Sequence, residues 1–266
     1  MTDGQLVGWY SEFRKALHES EFTGRYMKYH WVELPDRLHV VWLVYSQLVA
    51  DFANELANSI NDLTNYVHRL RAWDKVVAGL SDEEKMSVVH EFIGPFATVS
   101  LTLPNVIKSR LIFAAGHLCH QANQSRDLVW TDEFPSDDDV YLHTIGPHCS
   151  RWRRYRRLQE AIEAIAGADY QKQSDRFRNL YNHRFSPRFL VGMTQLAVRK
   201  VEPNGRVVYG VGGRDPFTLA EVASILQIER DRSYVAFEAF QALVNEQLVK
   251  IKTHNTAALA EQDACP

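Results

Sequence analysis

The stretch FRNLYNHRF, residues 177–185, sets an Arg-Asn pair and a His, with three residues between them, among aromatic side chains. An imidazole with an ordinary pKa near ~6.5 serves as base or acid at neutral pH. A guanidinium stays charged and grips phosphate oxygens through a planar fork of donors. Together they suit metal-free cleavage of RNA: a base removes the 2'-hydroxyl proton, the alkoxide attacks phosphorus, and a cation holds the charge that gathers there. Wound as a helix at about 100° per residue, Asp175, Arg178, Asn179, Asn182 and His183 fall within roughly 140° of arc. Tyr170, Phe177, Leu180 and Tyr181 take the other side, giving a polar stripe backed by a packing face. One His cannot conveniently be acid and base at once, so a two-fold dimer with facing stripes is expected to complete the site. The alternative for these residues is a solvated helix end, where cations are favoured by the dipole.

RNLYNH resembles the R-N-x-x-x-H form of the R-x4-6-H motif of the HEPN superfamily (higher eukaryotes and prokaryotes nucleotide-binding). The spacing also occurs at Arg25–His30 and Arg110–His117, but only Arg178 is followed by Asn. The resemblance implies an α-helical, often dimeric protein acting as a metal-independent endoribonuclease that leaves cyclic-phosphate ends, in toxin or anti-phage defence. It implies catalytic roles for Arg178 and His183 and a positioning role for Asn179; from the wheel alone, Asp175 and Asn182 are expected to support the stripe. An antitoxin or other defence-system partner is a further expectation, and no cofactor is required. Relatives silenced by nucleotidylation of a Tyr two residues after the His would need it at 185, where this chain has Phe185. The competing expectations are a non-catalytic RNA- or nucleotide-binding helical module, or a scaffold subunit of a defence complex.

A second candidate is CSRWRRYRRL, in which Arg151, Arg153, Arg154, Arg156 and Arg157 surround Trp152 and Tyr155. It reads as the sole basic cluster strong enough to attract RNA, with aromatics that either stack on bases or belong to the core. Five arginines over seven helical positions cannot share a face, so some must be ordinary surface. His117, Cys119, His120, His143, His148 and Cys149 fit no recognised zinc spacing, and the expectation is no metal. GVGGRD, 210–215, lacks the Lys and Ser/Thr of a phosphate loop and reads as a hairpin exit.

The elements that position these residues are mostly helical. Apolar residues from Leu38 to Leu63 recur at three- and four-residue steps, predicting a long amphipathic helix over 35–73. Ser81 with Glu84 forms a capping box that starts a helix expected to stop near Gly94-Pro95. Pro104 is placed to open another, to about Gln124. An acidic loop follows, then helices over 147–166 and 168–184, the last closed by Pro187. Val, Thr and Tyr around Pro203-Asn204-Gly205 predict a β-hairpin near 193–213, and Thr218 with Glu221 caps a long final helix. The reading is an all-α fold: a helical bundle with a hairpin insertion, one domain over 1–252 (N-terminal helices 1–125, motif-bearing part 147–252), and a disordered tail over 253–266.

Bulk properties bound the partners. With 266 residues, 45% hydrophobic, the chain can bury a sizeable core. A net charge of −3 excludes coating of nucleic acid or anionic membrane by global charge, so an anionic partner must meet a local patch. The three cysteines, Cys119, Cys149 and Cys265, suggest no disulfide framework. With no signal-like N-terminus and an interrupted apolar stretch at 38–52, a cytoplasmic protein without membrane association is expected.

Overall fold

The computed structural model describes residues 2–127 and 129–264; Cys265 and the end of the expected tail lie outside them. Nine α-helices and a two-stranded antiparallel sheet are present among the described residues, the all-α class with a hairpin that the sequence predicts. The helices are α1 (Asp3–Glu19), α2 (Leu43–Val77), α3 (Asp82–Val88), α4 (Gly94–Ala122), α5 (Leu142–Cys149), α6 (Tyr155–Ala164), α7 (Ala168–Gln173), α8 (Phe177–His183) and α9 (Leu219–Ala264). Strands β1 (Ala197–Val201) and β2 (Val207–Val211) pair from Ala197↔Val211 to Val201↔Val207.

The chain gathers into two compact units. The first takes its described residues from Met1–Arg25, Leu63–Leu103 and Ala168–Glu229, the second from Tyr26–Asp62, Pro104–Gly167 and Arg230–Pro266. Helices α2, α4 and α9 each give a stretch to both.

In the first unit, Phe13 of α1 stacks on Trp73 with ring centroids 4.4 Å apart, and Trp73 on Phe92 at 5.3 Å. Leu63, Val67, Leu70, Ile93, Ala97 and Leu226 are also fully buried; each large aliphatic side chain removed from water contributes about 1.5–3 kcal/mol. The second unit is built around Trp42, whose ring meets His254 edge-on at 5.3 Å. There the buried Tyr45 hydroxyl donates to Gln247 Oε1 at 2.8 Å, and Gln247 Nε2 donates to Cys119 Sγ at 3.3 Å. Buried polar groups that find such partners avoid the desolvation cost of being left bare.

Both capping boxes form. Glu84 accepts from the Ser81 backbone N–H at 2.9 Å, and Glu221 from that of Thr218 at 2.9 Å. The helix opened by Ser81 does not stop at Gly94-Pro95. It passes through a π-turn, Val89–Ile93, into α4, which carries Pro104 inside it. A β-carbon at Gly94 would sit 3.0 Å from the Val89 carbonyl oxygen, so glycine suits the exit from this turn. Pro104 offers no N–H to the Ser100 carbonyl and crowds the preceding turn. The Tyr170 hydroxyl donates to the Leu101 carbonyl in that same turn, supplying a partner from outside the helix.

The helix expected over 147–166 is two, α5 and α6, with the arginine-rich turn between them. The tail expected from 253 is instead helical through Ala264, and Arg37 clasps Asp263 in two hydrogen bonds of 2.9 and 2.8 Å. The stretch Asp82–Ser125 is long and apolar enough, by length and composition only, to cross a membrane. Its most apolar window has mean hydropathy 1.2 and is 33% buried.

Candidate nucleic-acid interface

The helix expected over 168–184 breaks in two, and the break sets the candidate site. Asp175 and Arg176 adopt φ of 49° and 54°, a left-handed conformation that costs a non-glycine residue about 1–2 kcal/mol. The chain holds it locally: Arg176 N–H donates to the Gln171 carbonyl at 2.7 Å, and Phe177 N–H to that of Ser174 at 2.8 Å. Across the break, the Asp175 carboxylate pairs with Arg214, just beyond the hairpin. Asp175 therefore does not belong to the polar stripe as the continuous wheel expects; it sits off the helix and is engaged with Arg214.

The seven residues of α8 are anchored by their back. Phe177 is 1% exposed and lies 5.9 Å from Phe189 and 6.4 Å from Phe217, ring to ring, while Leu180 is buried beside it. Isolated helices this short are marginal in water, so these contacts decide whether α8 exists. The front carries Arg178, Asn179, Asn182 and His183, all exposed. No hydrogen bond or ion pair engages their side chains among the described residues, which leaves four polar groups free to meet a ligand.

Two arginines, Arg176 and Arg184, flank α8, and Arg188 follows Pro187. From 176 to 188 the chain holds four arginines and one histidine without an Asp or Glu. Arg176, Arg184 and Arg188 are exposed as well. This second basic run corrects the view that 151–157 is the sole such cluster. Its signal was readable in the sequence as an acid-free interval, but it is spread thinly enough to escape a search for adjacent arginines.

Beside α8 in the same unit lies an open groove of 720 Å³, whose walls include Tyr181, Arg188 and Phe189 together with His90 and Val99. The π-turn contributes His90, and such turns recur at functional sites. Neither His90 nor Arg188 stood out from spacing, because the groove is assembled from segments about ninety residues apart.

The arginine-rich turn at 151–157 is differently arranged. Arg151 is committed to Asp127 through two bonds of 2.6 and 2.7 Å, and Arg156 to Glu160 at 3.1 Å. The backbone N–H groups of Arg153 and Arg154 are capped by the Glu246 carboxylate at 3.1 and 2.8 Å. Trp152 and Tyr155 are 1% and 4% exposed, so they belong to the core and are not platforms for bases. Arg126 also lies over the Trp152 ring, 4.0 Å from its centroid. Arg153, Arg154 and Arg157 keep exposed side chains able to meet phosphates.

The other Arg-to-His spacings fall elsewhere. Arg25–His30 lies outside any helix, while Arg110 pairs with Glu55 at 3.3 Å and His117 with Asp137 at 3.4 Å. His117, His120 and His148 gather around Phe134, with centroids 4.5, 5.1 and 5.4 Å from its ring. Burial holds both His117 and His120 below the usual imidazole range, against the raising effect of Asp137 on the first and Asp132 on the second. No group of three or more metal-binding side chains is set to hold an ion among the described residues. Cys119 and Cys149 are buried free thiols, and burial pushes the Cys119 thiol well up.

The class defined by these observations is an all-α protein with a hairpin insertion and a polar helix face whose side chains are unengaged among the described residues. No protein-family model, curated protein or solved structure matches the chain.

Proposed function

We propose that the protein is a metal-independent endoribonuclease in which Arg178 and His183 act on the scissile phosphate and its 2'-hydroxyl, with Asn179 positioning the strand. The observation that carries this reading is the front of α8. Its Arg, two Asn and His are exposed and unengaged among the described residues, within a run free of acids. A structural role for these side chains would have given them partners, as it has given Arg151 and Arg156 theirs. His183 would take the 2'-hydroxyl proton or protonate the leaving oxygen, and Arg178 would hold the phosphorane charge. Two copies with facing stripes would divide acid and base between them. The setting expected for such an enzyme is the cytoplasm, under control of a defence-system partner.

The test is incubation of the purified protein with RNA in EDTA, with analysis of the ends. Wild type is expected to leave 2',3'-cyclic phosphates, and His183→Ala to lose about 10²–10⁴ in rate, the usual worth of a general acid or base. Equal cleavage by wild type and His183→Ala would sink the proposal. A non-catalytic RNA-binding module is favoured by one observation: among the described residues no second acid or base is bonded to His183. Binding of RNA without any product, abolished by Arg178→Glu, would establish that reading instead.

A further inference from the structure

The groove beside α8 has no role in the chemistry just described, yet it begins where the stripe ends. Tyr181 follows Arg178 by three residues, so the two side chains are neighbours along one edge of α8, their β-carbons about 5–6 Å apart. Tyr181 also forms part of the groove wall. Its ring lies parallel to that of Phe177, 9° apart in plane and 5.8 Å between centroids, and 45% of the residue remains exposed. It is thus a ring fixed from behind and open in front. The segment 86–99 adds aliphatic lining, with Val99 49% exposed on α4. Arg188 and His90 supply the charge and the donors, and no carboxylate lines the groove among the described residues. The volume, 720 Å³, is that of small-molecule sites.

Resting on the reading of α8 as an RNA-handling face, we propose that this groove seats one unpaired nucleobase of the RNA, stacked on Tyr181, next to the phosphate gripped by Arg178. Charge and shape point to one occupant. A planar aromatic body fits between Tyr181 and the aliphatic wall. The phosphates on either side of it fall toward Arg178 and Arg188, and the acid-free lining does not oppose them. His90 and the Thr98 hydroxyl offer hydrogen bonds to a base edge. A duplex cannot present a base in this way, so the groove selects single-stranded substrate, and the flanking base is chosen by how well it stacks.

The experiment measures binding of fluorescein-labelled, unstructured hexanucleotide RNA to full-length His183→Ala protein by anisotropy, with and without a single abasic site scanned along the strand. One abasic position is expected to weaken binding about 5- to 150-fold, the range for loss of a base–aromatic stack. Tyr181→Ala should weaken intact RNA by the same factor, and in that variant the abasic site should cost nothing further. Since Tyr181→Ala also removes packing from Phe177, Val99→Trp, which fills the groove from α4 and leaves every residue of α8 unsubstituted, gives a second measure. It should lower affinity for intact RNA and leave affinity for the abasic strand unchanged. Abasic strands that bind the unfilled protein as tightly as intact ones, or the absence of RNA binding, overturn the proposal. The nuclease reading is scored separately by cleavage with the groove intact. Base-dependent binding without cleavage retires the enzyme and keeps the groove; cleavage indifferent to the abasic site does the reverse.

Discussion

Leu180→Ala probes the support of the candidate site without touching its chemistry. Leu180 is 5% exposed on the back of α8, a helix of only seven residues closed by few hydrogen bonds, among them Arg184 N–H to the Leu180 carbonyl at 2.9 Å. Burying a leucine and then deleting it costs about 2–5 kcal/mol, and a site near the surface that can relax falls at the lower end, about 2–3 kcal/mol. If α8 is held by its back alone, that loss appears as local opening before the rest of the unit unfolds. Converted at about 1.4 kcal/mol per factor of ten, amides in α8 should exchange roughly 30- to 150-fold faster. Amides in the α1–α2 aromatic stack should keep their protection. Asn179→Ala, on the exposed front, is the control and should leave exchange in α8 unchanged, since surface substitutions away from special contacts stay within about 0.5 kcal/mol. The assay is native-state hydrogen exchange read by mass spectrometry. Unchanged exchange in α8, with the whole chain losing stability instead, would refute the reasoning that two buried side chains hold the candidate face in place.

Other outcomes follow from the same geometry. In mixtures of wild type with inactive His183→Ala, a shared two-chain site makes cleavage fall as the square of the wild-type fraction, to about one quarter at equal amounts; a linear fall would mean that each chain works alone. Burial lowers the folded-state pKa of His68, His117 and His120, so the unfolded chain binds more protons. Their contribution is complete above about pH 6.5 and is lost as pH falls through the folded values. Urea midpoints should therefore drop between pH 8 and pH 5.5, and the double variant His117→Gln, His120→Gln should flatten that dependence. Tyr170→Phe leaves the Leu101 carbonyl without its hydroxyl donor and should cost about 1–3 kcal/mol in urea unfolding at pH 7. Cys119 and Cys149 should resist alkylation until denaturant is added, as read by peptide mapping, because both thiols are buried.

The sequence was most legible where one short pattern carries its own mechanism. Ser81 with Glu84 and Thr218 with Glu221 started helices as capping boxes do, and Pro203-Asn204-Gly205 turned the hairpin, with Gly205 at φ 81°. The packed back of α8, Phe177 and Leu180, also followed from the period of the wheel. Legibility failed where tertiary partners override a local signal. Pro104 reads as a helix start, yet α4 continues through it with Tyr170 serving the preceding turn. Asp175 and Arg176 reverse the backbone with neither glycine nor proline to announce it, and that removed Asp175 from the stripe. The arginines at 151–157 look like a phosphate site in one dimension; in three, Asp127, Glu160 and Glu246 have already claimed much of it. The groove at His90 and Arg188 had no signal along the chain, since its walls come from distant segments.

Each compact unit is assembled from three separated stretches of chain, and α9, about 69 Å long at 1.5 Å per residue, closes both. No single stop codon or protease cut frees one unit from all of the other's chain, and no simple gene fusion could exchange one while sparing the other. During synthesis the first unit must wait for residues up to 229, and the second for α9, so most of the chain emerges before either can close. The exposed face of α8 is thus complete only once residues some forty-five positions further along the chain, to Glu229, are in place.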